Sequence, residues 1–174
     1  VPPRALQVAV IGASRPSAQQ ERLAEQVGQG LGAAGAIVIT GGGPGVMAAA
    51  SRGARAGGAR AGGARAGGAH ADGAVVVGIL PGTDPRAANE WVTVALPTGI
   101  GELRNGLIVR AADAVVAVGG AYGTLSEIAL ALSAGVGVVG LDTWAIDGVH
   151  VADSPAAAVG HVLELAARAV AARA

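Results

Sequence analysis

Short runs rich in Val, Ile and Ala recur along the chain, each followed by a longer stretch in which apolar residues return every three or four positions. The runs are nearly continuous in apolar character, as strands covered on both faces read, and the rhythm is that of parallel strands joined by crossover helices. It predicts strands at residues 6–11, 36–40, 74–80, 91–96, 114–118 and 136–141, and helices at residues 17–31, 45–56, 101–112, 125–133 and 155–172. The expected fold class is α/β: a doubly wound, Rossmann-like parallel sheet in three α/β/α layers, one domain over residues 1–174, with ligands at the carboxyl ends of the strands.

One segment breaks this rhythm. The pentad A-R-A-G-G begins at Ala54, Ala59 and Ala64 and decays to A-H-A-D-G at Ala69. A five-residue step turns ~500° around a helix, so its arginines share no face, and each helical glycine costs ~1 kcal/mol against alanine. The expectation is a helix end dissolving into a low-complexity loop insert at about residues 54–73, most mobile over 57–73. An anion-binding lid built from Arg55, Arg60 and Arg65 is the alternative.

Composition narrows the chemistry. Twelve Arg balance 12 Asp plus Glu, and there is no Lys or Cys. No disulfide, thiolate nucleophile or Cys-ligated metal is open to it, nor a Walker-type loop or a lysine aldimine with pyridoxal phosphate. Zero net charge without a basic block argues against nucleic acid. No run approaches the ~20 apolar residues of a membrane span, and the first residues lack a signal pattern, so a cytoplasmic protein with no membrane partner is expected.

Three glycine-rich turns each follow a predicted strand and precede a helix: Gly12-Ala13-Ser14, then T-G-G-G-P-G-V-M with Gly41, Gly42, Gly43, Gly45, Val46 and Met47, then G-G-A-Y-G-T with Gly119, Gly120, Gly123 and Thr124. Unpaired amides and helix N-termini gathered at one sheet edge attract phosphate, and glycine lets it approach closely. The expected partner is therefore a phosphorylated small molecule. A nicotinamide reading of Gly43, Gly45 and Ala48 as G-x-G-x-x-A fails on position, because that fingerprint follows the first strand and needs an acidic residue about 20 positions on.

Among side chains, Arg104 and Glu127 stand out. Arg104 starts a helix whose apolar face reads as Leu103, Leu107 and Ala111; it is either solvated beside that face or a phosphate fork in the crevice. Asn105 beside it offers an amide donor and acceptor for a base or ribose. Thr124 and Glu127 stand as T-x-x-E, which reads as a capping box, or else as a carboxylate facing a sugar. In the second case it would stabilise a cationic anomeric centre, and the helix N-terminus would keep it ionised. His70, His150 (in a turn) and His161 have no metal-ligand spacing, so no metal is expected, and neither Ser14 nor Ser126 lies in a nucleophile elbow. The last helix is amphipathic and should pack on the sheet.

These motifs resemble a known family. T-G-G-G-P-G-V-M, G-I-L-P-G from Gly78, T-G-I-G-E-L-R-N and G-G-A-Y-G-T-L-S-E-I-A-L-A-L together are similar to the Lonely Guy-type, or lysine decarboxylase-like, superfamily over roughly residues 5–145 outside the insert. The R-N pair and the T-L-S-E-I-A-L-A-L run look most like the molybdenum cofactor carrier branch. That branch implies a binding protein that requires no cofactor of its own and takes the molybdenum cofactor or a nucleoside monophosphate as its ligand. The cytokinin-activating branch implies instead an N-glycosidase releasing free base and ribose 5-phosphate. Its P-G-G-x-G-T-x-x-E is matched by Gly119, Gly120, Gly123, Thr124 and Glu127, and its catalytic arginine by Arg104. The departures are Val118 for proline, Asn105 for lysine and Ser126 for a frequent glutamate. Decarboxylation has no lysine to support it.

Charged residues are only 14% of the chain, about half the usual ~25%, so the helices after Gly101 and after Thr124 lack a polar cover. Together with the resemblance this implies a homo-oligomer, a dimer or dimer of dimers on those helices, in which Arg110 is either solvated or completes the partner's site.

Overall fold

Val8 and Val10 face one side of the first strand while Ala9 and Ile11 face the other, and all four are buried. The same division repeats along every central strand, so each face of the sheet needs its own layer of helices. The computed structural model of the chain describes residues 4–62 and 73–173. Seven strands, β1 (Gln7–Gly12), β2 (Ile37–Thr40), β3 (Val76–Leu80), β4 (Val94–Pro97), β5 (Ala114–Val118), β6 (Gly137–Leu141) and β7 (Val149–Val151), form one sheet in the order β4-β3-β2-β1-β5-β6-β7. All pairs are parallel.

Helices α1 (Ala18–Ala33), α2 (Val46–Gly62) and α5 (Pro155–Ala171) cover the face bearing Val8, Val10, Val38, Val116 and Val139. Helices α3 (Asn105–Ala111) and α4 (Tyr122–Ser133) cover the face bearing Ala9, Ile11, Ile39, Val115 and Val138. The architecture is thus the expected three-layer, Rossmann-like α/β fold. After β1 the chain winds outward through β2, β3 and β4, then returns to place β5 on the other side of β1. The carboxyl ends of β1 and β5 therefore border the crevice where such folds bind ligands.

Four expectations fail, each for a physical reason. The helix expected to end at residue 56 runs on through the first pentad to Gly62. Gly53 and Gly57 lie against the carbonyls of Glu25 and Gln29 of α1, while Gly28 and Gly32 of α1 lie against those of Ala50 and Ala54. Glycine here allows two helix backbones to touch, and that contact offsets its poor helix propensity. Arg52 closes the pair with a two-pronged bond to Glu25, Nε–Oε1 3.0 Å and Nη2–Oε2 2.8 Å. Within the supposed lid, Arg55 donates to the Ala74 carbonyl at 3.2 Å. Arg65, the Arg60 side chain and the pentads from 63 to 72 lie outside the described residues.

The second failure is the apolar face of the helix after Gly101. Residues Gly101–Arg104 form a 3-10 turn, and the phase shift into α3 buries Ile108 and Val109 instead of Leu103, Leu107 and Ala111. Third, α4 starts at Tyr122 rather than 125, so Thr124 sits inside the first turn and accepts from the Ala121 N–H at 3.4 Å. The capping box from Thr124 to Glu127 is therefore absent. Fourth, His150 lies in β7, a three-residue strand too short to show a period, and not in a turn. As expected, α5 packs on the sheet through Ala158, Val162 and Ala166.

Candidate functional site

The three glycine turns meet at the carboxyl edge as interlocked loops. Gly45, at φ 69°, leaves no room for a side chain against Ala13 and Ser14, and the Val46 N–H donates to the Ala13 carbonyl at 3.1 Å. Gly12 is equally constrained, since a Cβ would stand 2.5 Å from Val46 Cγ1 and 2.6 Å from the Val118 carbonyl oxygen. Strand β2 ends in Thr40, whose buried hydroxyl accepts from the Gly42 N–H at 3.1 Å. Asn89, before β4, donates through Nδ2 to the Gly42 and Gly43 carbonyls at 3.1 and 3.0 Å. It fixes the turn from outside, and no local pattern in the sequence marks it.

Arg104 reaches across this turn. A Cβ on Gly41 would stand 2.6 Å from Arg104 Nη1 and 2.8 Å from Met47 Sδ, so the guanidinium and the Met47 thioether both rest on the bare Gly41 backbone. The Arg104 side chain is 13% exposed, and its Nε–H is buried with no acceptor. Asn105 Oδ1 accepts from Arg104 Nη1 at 3.1 Å, and Asn105 Nδ2 donates to Ser126 Oγ at 3.3 Å. Asn105 is thus committed to placing Arg104, and Ser126, which also donates to the Gly123 carbonyl at 2.7 Å, anchors Asn105.

Glu127 projects from the second turn of α4 toward the same guanidinium, Oε1 3.9 Å from Nη1, with its side chain 9% exposed. Burial pushes its carboxyl up to about 7, while the Arg104 charge pulls the other way. Loss of water thus outweighs the Arg104 charge at this depth, and Glu127 ionises less readily than the sequence reading expects. Burial likewise lowers the Arg104 value, against the raising effect of Glu127 and Glu102.

A second group flanks the β5 turn from the α1 side. Gly119 takes φ 56°, and its Cβ would fall 2.5 Å from the Gln20 amide. A Cβ on Gly120 would fall 2.5 Å from Cζ3 of Trp144. Gln20 also donates through Nε2 to Asp142 Oδ2 at 3.1 Å. The Gly119 N–H is already bonded to the Leu141 carbonyl, at 3.0 Å, so it offers nothing to a ligand. The sequence places Gly12, Ala13, Ser14, the 41–47 turn, Arg104, Asn105, Gly119, Gly120, Gly123, Thr124 and Glu127 at one edge, and the fold brings them there. It does not reveal Gln20, Asn89, Asp142 or Trp144. Elsewhere His150, His161, Glu164 and Arg168 line a shallow cleft between β7 and α5, at the far edge of the sheet.

Known proteins carry the same frame. The molybdenum cofactor binding protein of Rippkaea orientalis superposes with a TM-score of 0.79 at 28% identity, covering 93% of this chain and 98% of that one. The molybdenum cofactor carrier protein of Chlamydomonas reinhardtii gives 0.77 at 29% identity, covering 94% and 99%. An uncharacterized protein of Archaeoglobus fulgidus is 34% identical over 159 residues, 91% of this chain and 95% of its own. These relationships agree with the Lonely Guy-type resemblance of the motifs. With the SLOG cluster4 family model matching residues 5–169, the chain belongs to the SLOG cluster4 family.

Proposed function

We propose that the protein binds a phosphorylated, nucleotide-like small molecule at the carboxyl edge of the sheet, in the manner of a molybdenum cofactor carrier. The observation that carries this reading is Arg104, a partly buried guanidinium against bare Gly41 backbone with an Nε–H lacking any acceptor. An unpaired buried donor costs about 1–3 kcal/mol, which a local shift that lets a phosphate oxygen reach it would recover. Arginine supplies two parallel N–H groups for that purpose, and the first turn of α4 adds amides from Tyr122 and Gly123. The likeness to the Rippkaea and Chlamydomonas proteins supports a carrier. Calorimetry at low salt with nucleoside monophosphates and with the molybdenum cofactor tests it: binding tighter than millimolar is expected for at least one, and none for either defeats the proposal.

A nucleotide N-glycosidase is the second reading, favoured by one observation: the buried Glu127 carboxyl beside Arg104. At a value of about 7 half the molecules hold the ionised carboxylate at neutral pH, the form that stabilises an oxocarbenium-like centre. Incubation with adenosine monophosphate or an N6-substituted derivative would then release free base, and Glu127→Gln would abolish release while sparing binding. Binding without release leaves the carrier.

The reading includes a homodimer or dimer of dimers on α3 and α4, with Arg110 of one chain reaching the other's ligand edge, and a cytoplasmic location. Among the described residues no helix is long and apolar enough to cross a membrane.

A further inference from the structure

The chain has only three aromatic residues, and two of them stand at the β5 turn with ring surface open to solvent. Tyr122 opens α4 and is 90% exposed; Trp144, in the β6–β7 connection, is 40% exposed. Tryptophan is usually far more covered, and here the cover is specific. The benzo edge of the Trp144 ring lies on Gly120, Cζ3 and Cη2 standing 2.5 and 2.8 Å from where a Cβ would be.

The connection is held in that pose at a cost. Asp142 has φ 53°, the one non-glycine residue in the left-handed region among the described residues, a conformation that costs of order 1 kcal/mol. Its carboxylate is fixed by Gln20 Nε2 at 3.1 Å, and Gln20 is itself locked into the first turn of α1, where Oε1 accepts from the Ser17 N–H at 3.1 Å. Thr143, between Asp142 and Trp144, has a buried hydroxyl with no partner. Left-handed backbone and an unpaired hydroxyl both oppose this geometry, yet they place an indole over Gly120, 24 residues of sequence away. The hydrophobic core gains little from a ring left 40% exposed.

We propose that Trp144 is a stacking platform that selects ligands carrying a flat bicyclic heterocycle, of the purine or pterin kind, with Gln20 and Asp142 as positioning residues for it. The inference rests on the phosphate site proposed above: the phosphate docks at Arg104 and the amides of α4, and the ring attached to it lies on the open indole face. Stacking on an aromatic face does not depend on hydrogen-bond pattern, so ring size decides selectivity here, not ring substituents.

Calorimetry with guanosine monophosphate, uridine monophosphate and ribose 5-phosphate tests this on the whole chain. The wild type should prefer the purine nucleotide to ribose 5-phosphate by about tenfold to a hundredfold, with the pyrimidine between. Trp144→Leu, which keeps an apolar group on Gly120, should bring guanosine monophosphate down to the affinity of ribose 5-phosphate and leave the latter within about twofold of its wild-type value. Trp144→Phe should keep the preference. Equal loss for all three ligands means that Trp144 only supports the turn, and an unchanged preference in Trp144→Leu means that the ring lies elsewhere; either overturns the platform while phosphate binding stands. Absence of binding by the wild type to all three overturns the platform, and the phosphate site then stands only if the molybdenum cofactor binds.

Discussion

Arg104 and Glu127 oppose each other at 3.9 Å inside the crevice, too far for a hydrogen bond, and the guanidinium keeps a buried Nε–H with no acceptor. A closed bidentate pair would have satisfied both.

The pH dependence follows from Glu127. Its value in the folded protein is raised from 4.5 to about 7, so the folded state holds the proton more tightly than the unfolded chain. The stability linked to it is full below about pH 4.5 and is lost as pH rises through 7. Glu127→Gln never ionises. Between pH 5 and pH 8 the wild type should therefore lose about 2.5 kcal/mol relative to this variant. Urea unfolding at the two pH values measures it; a difference that stays constant within about 0.5 kcal/mol would show that Glu127 titrates normally.

Replacing Arg104 separates binding from stability. Arg104→Met keeps the stem over Gly41 and removes the charge, so affinity for a nucleoside monophosphate should drop about tenfold to a hundredfold. Removing the unpaired Nε–H should leave the melting temperature unchanged or raised. Arg104→Lys should not restore affinity, since one ammonium cannot replace the fork. Recovery by lysine would mean that only charge matters there.

The glycines of α2 give a test against intuition. Glycine to alanine in a helix normally stabilises by ~1 kcal/mol, and Gly160 in α5, with open space where its Cβ would go, should behave so. Gly57→Ala drives a methyl into the Gln29 carbonyl and should cost about 1–3 kcal/mol. Thermal melts of the two variants should move in opposite directions.

Those glycines also mark where sequence reasoning stops. Strands β1, β5 and β6 are legible because both of their faces are buried and continuous Val/Ile/Ala runs leave little choice. The turns at Gly41–Met47 and Gly119–Thr124 are legible because the motif is contiguous, and Arg104 and Glu127 because each is charged at a glycine-rich edge. Gly57 in a pentad looks like a helix breaker until a second backbone is seen against it. Gln20, Asn89, Asp142 and Trp144 act on turns far away in the chain, so no local pattern reports them. The helix after Gly101 misleads because four 3-10 residues rotate the buried face onto Ile108 and Val109.

That rotation leaves an aliphatic face open for assembly. Leu103, 81% exposed, and Leu107 on one side, and Tyr122, Leu125 and Leu130 on the other, stand outward on the packed pair α3 and α4. An aliphatic face of this kind usually marks an interface, and a stable one needs about 800 Å2 from each partner, which a two-helix surface can supply. A second copy is the natural cover, because the face carries few charges; α3 begins at the crevice with Arg104 and carries the exposed Arg110 in its last turn, toward the amino edge of the sheet. Light scattering at micromolar concentration should give at least twice the 16.6 kDa of one chain. Leu103→Glu combined with Leu130→Glu should return it to a monomer with α3 and α4 intact by circular dichroism. If Arg110 acts across the interface, that monomer and Arg110→Ala should lose ligand affinity to a similar degree, whereas a monomer that binds as tightly as the wild type places the whole site within one chain. A wild-type mass of 16.6 kDa would remove both the interface and any role for Arg110 across it.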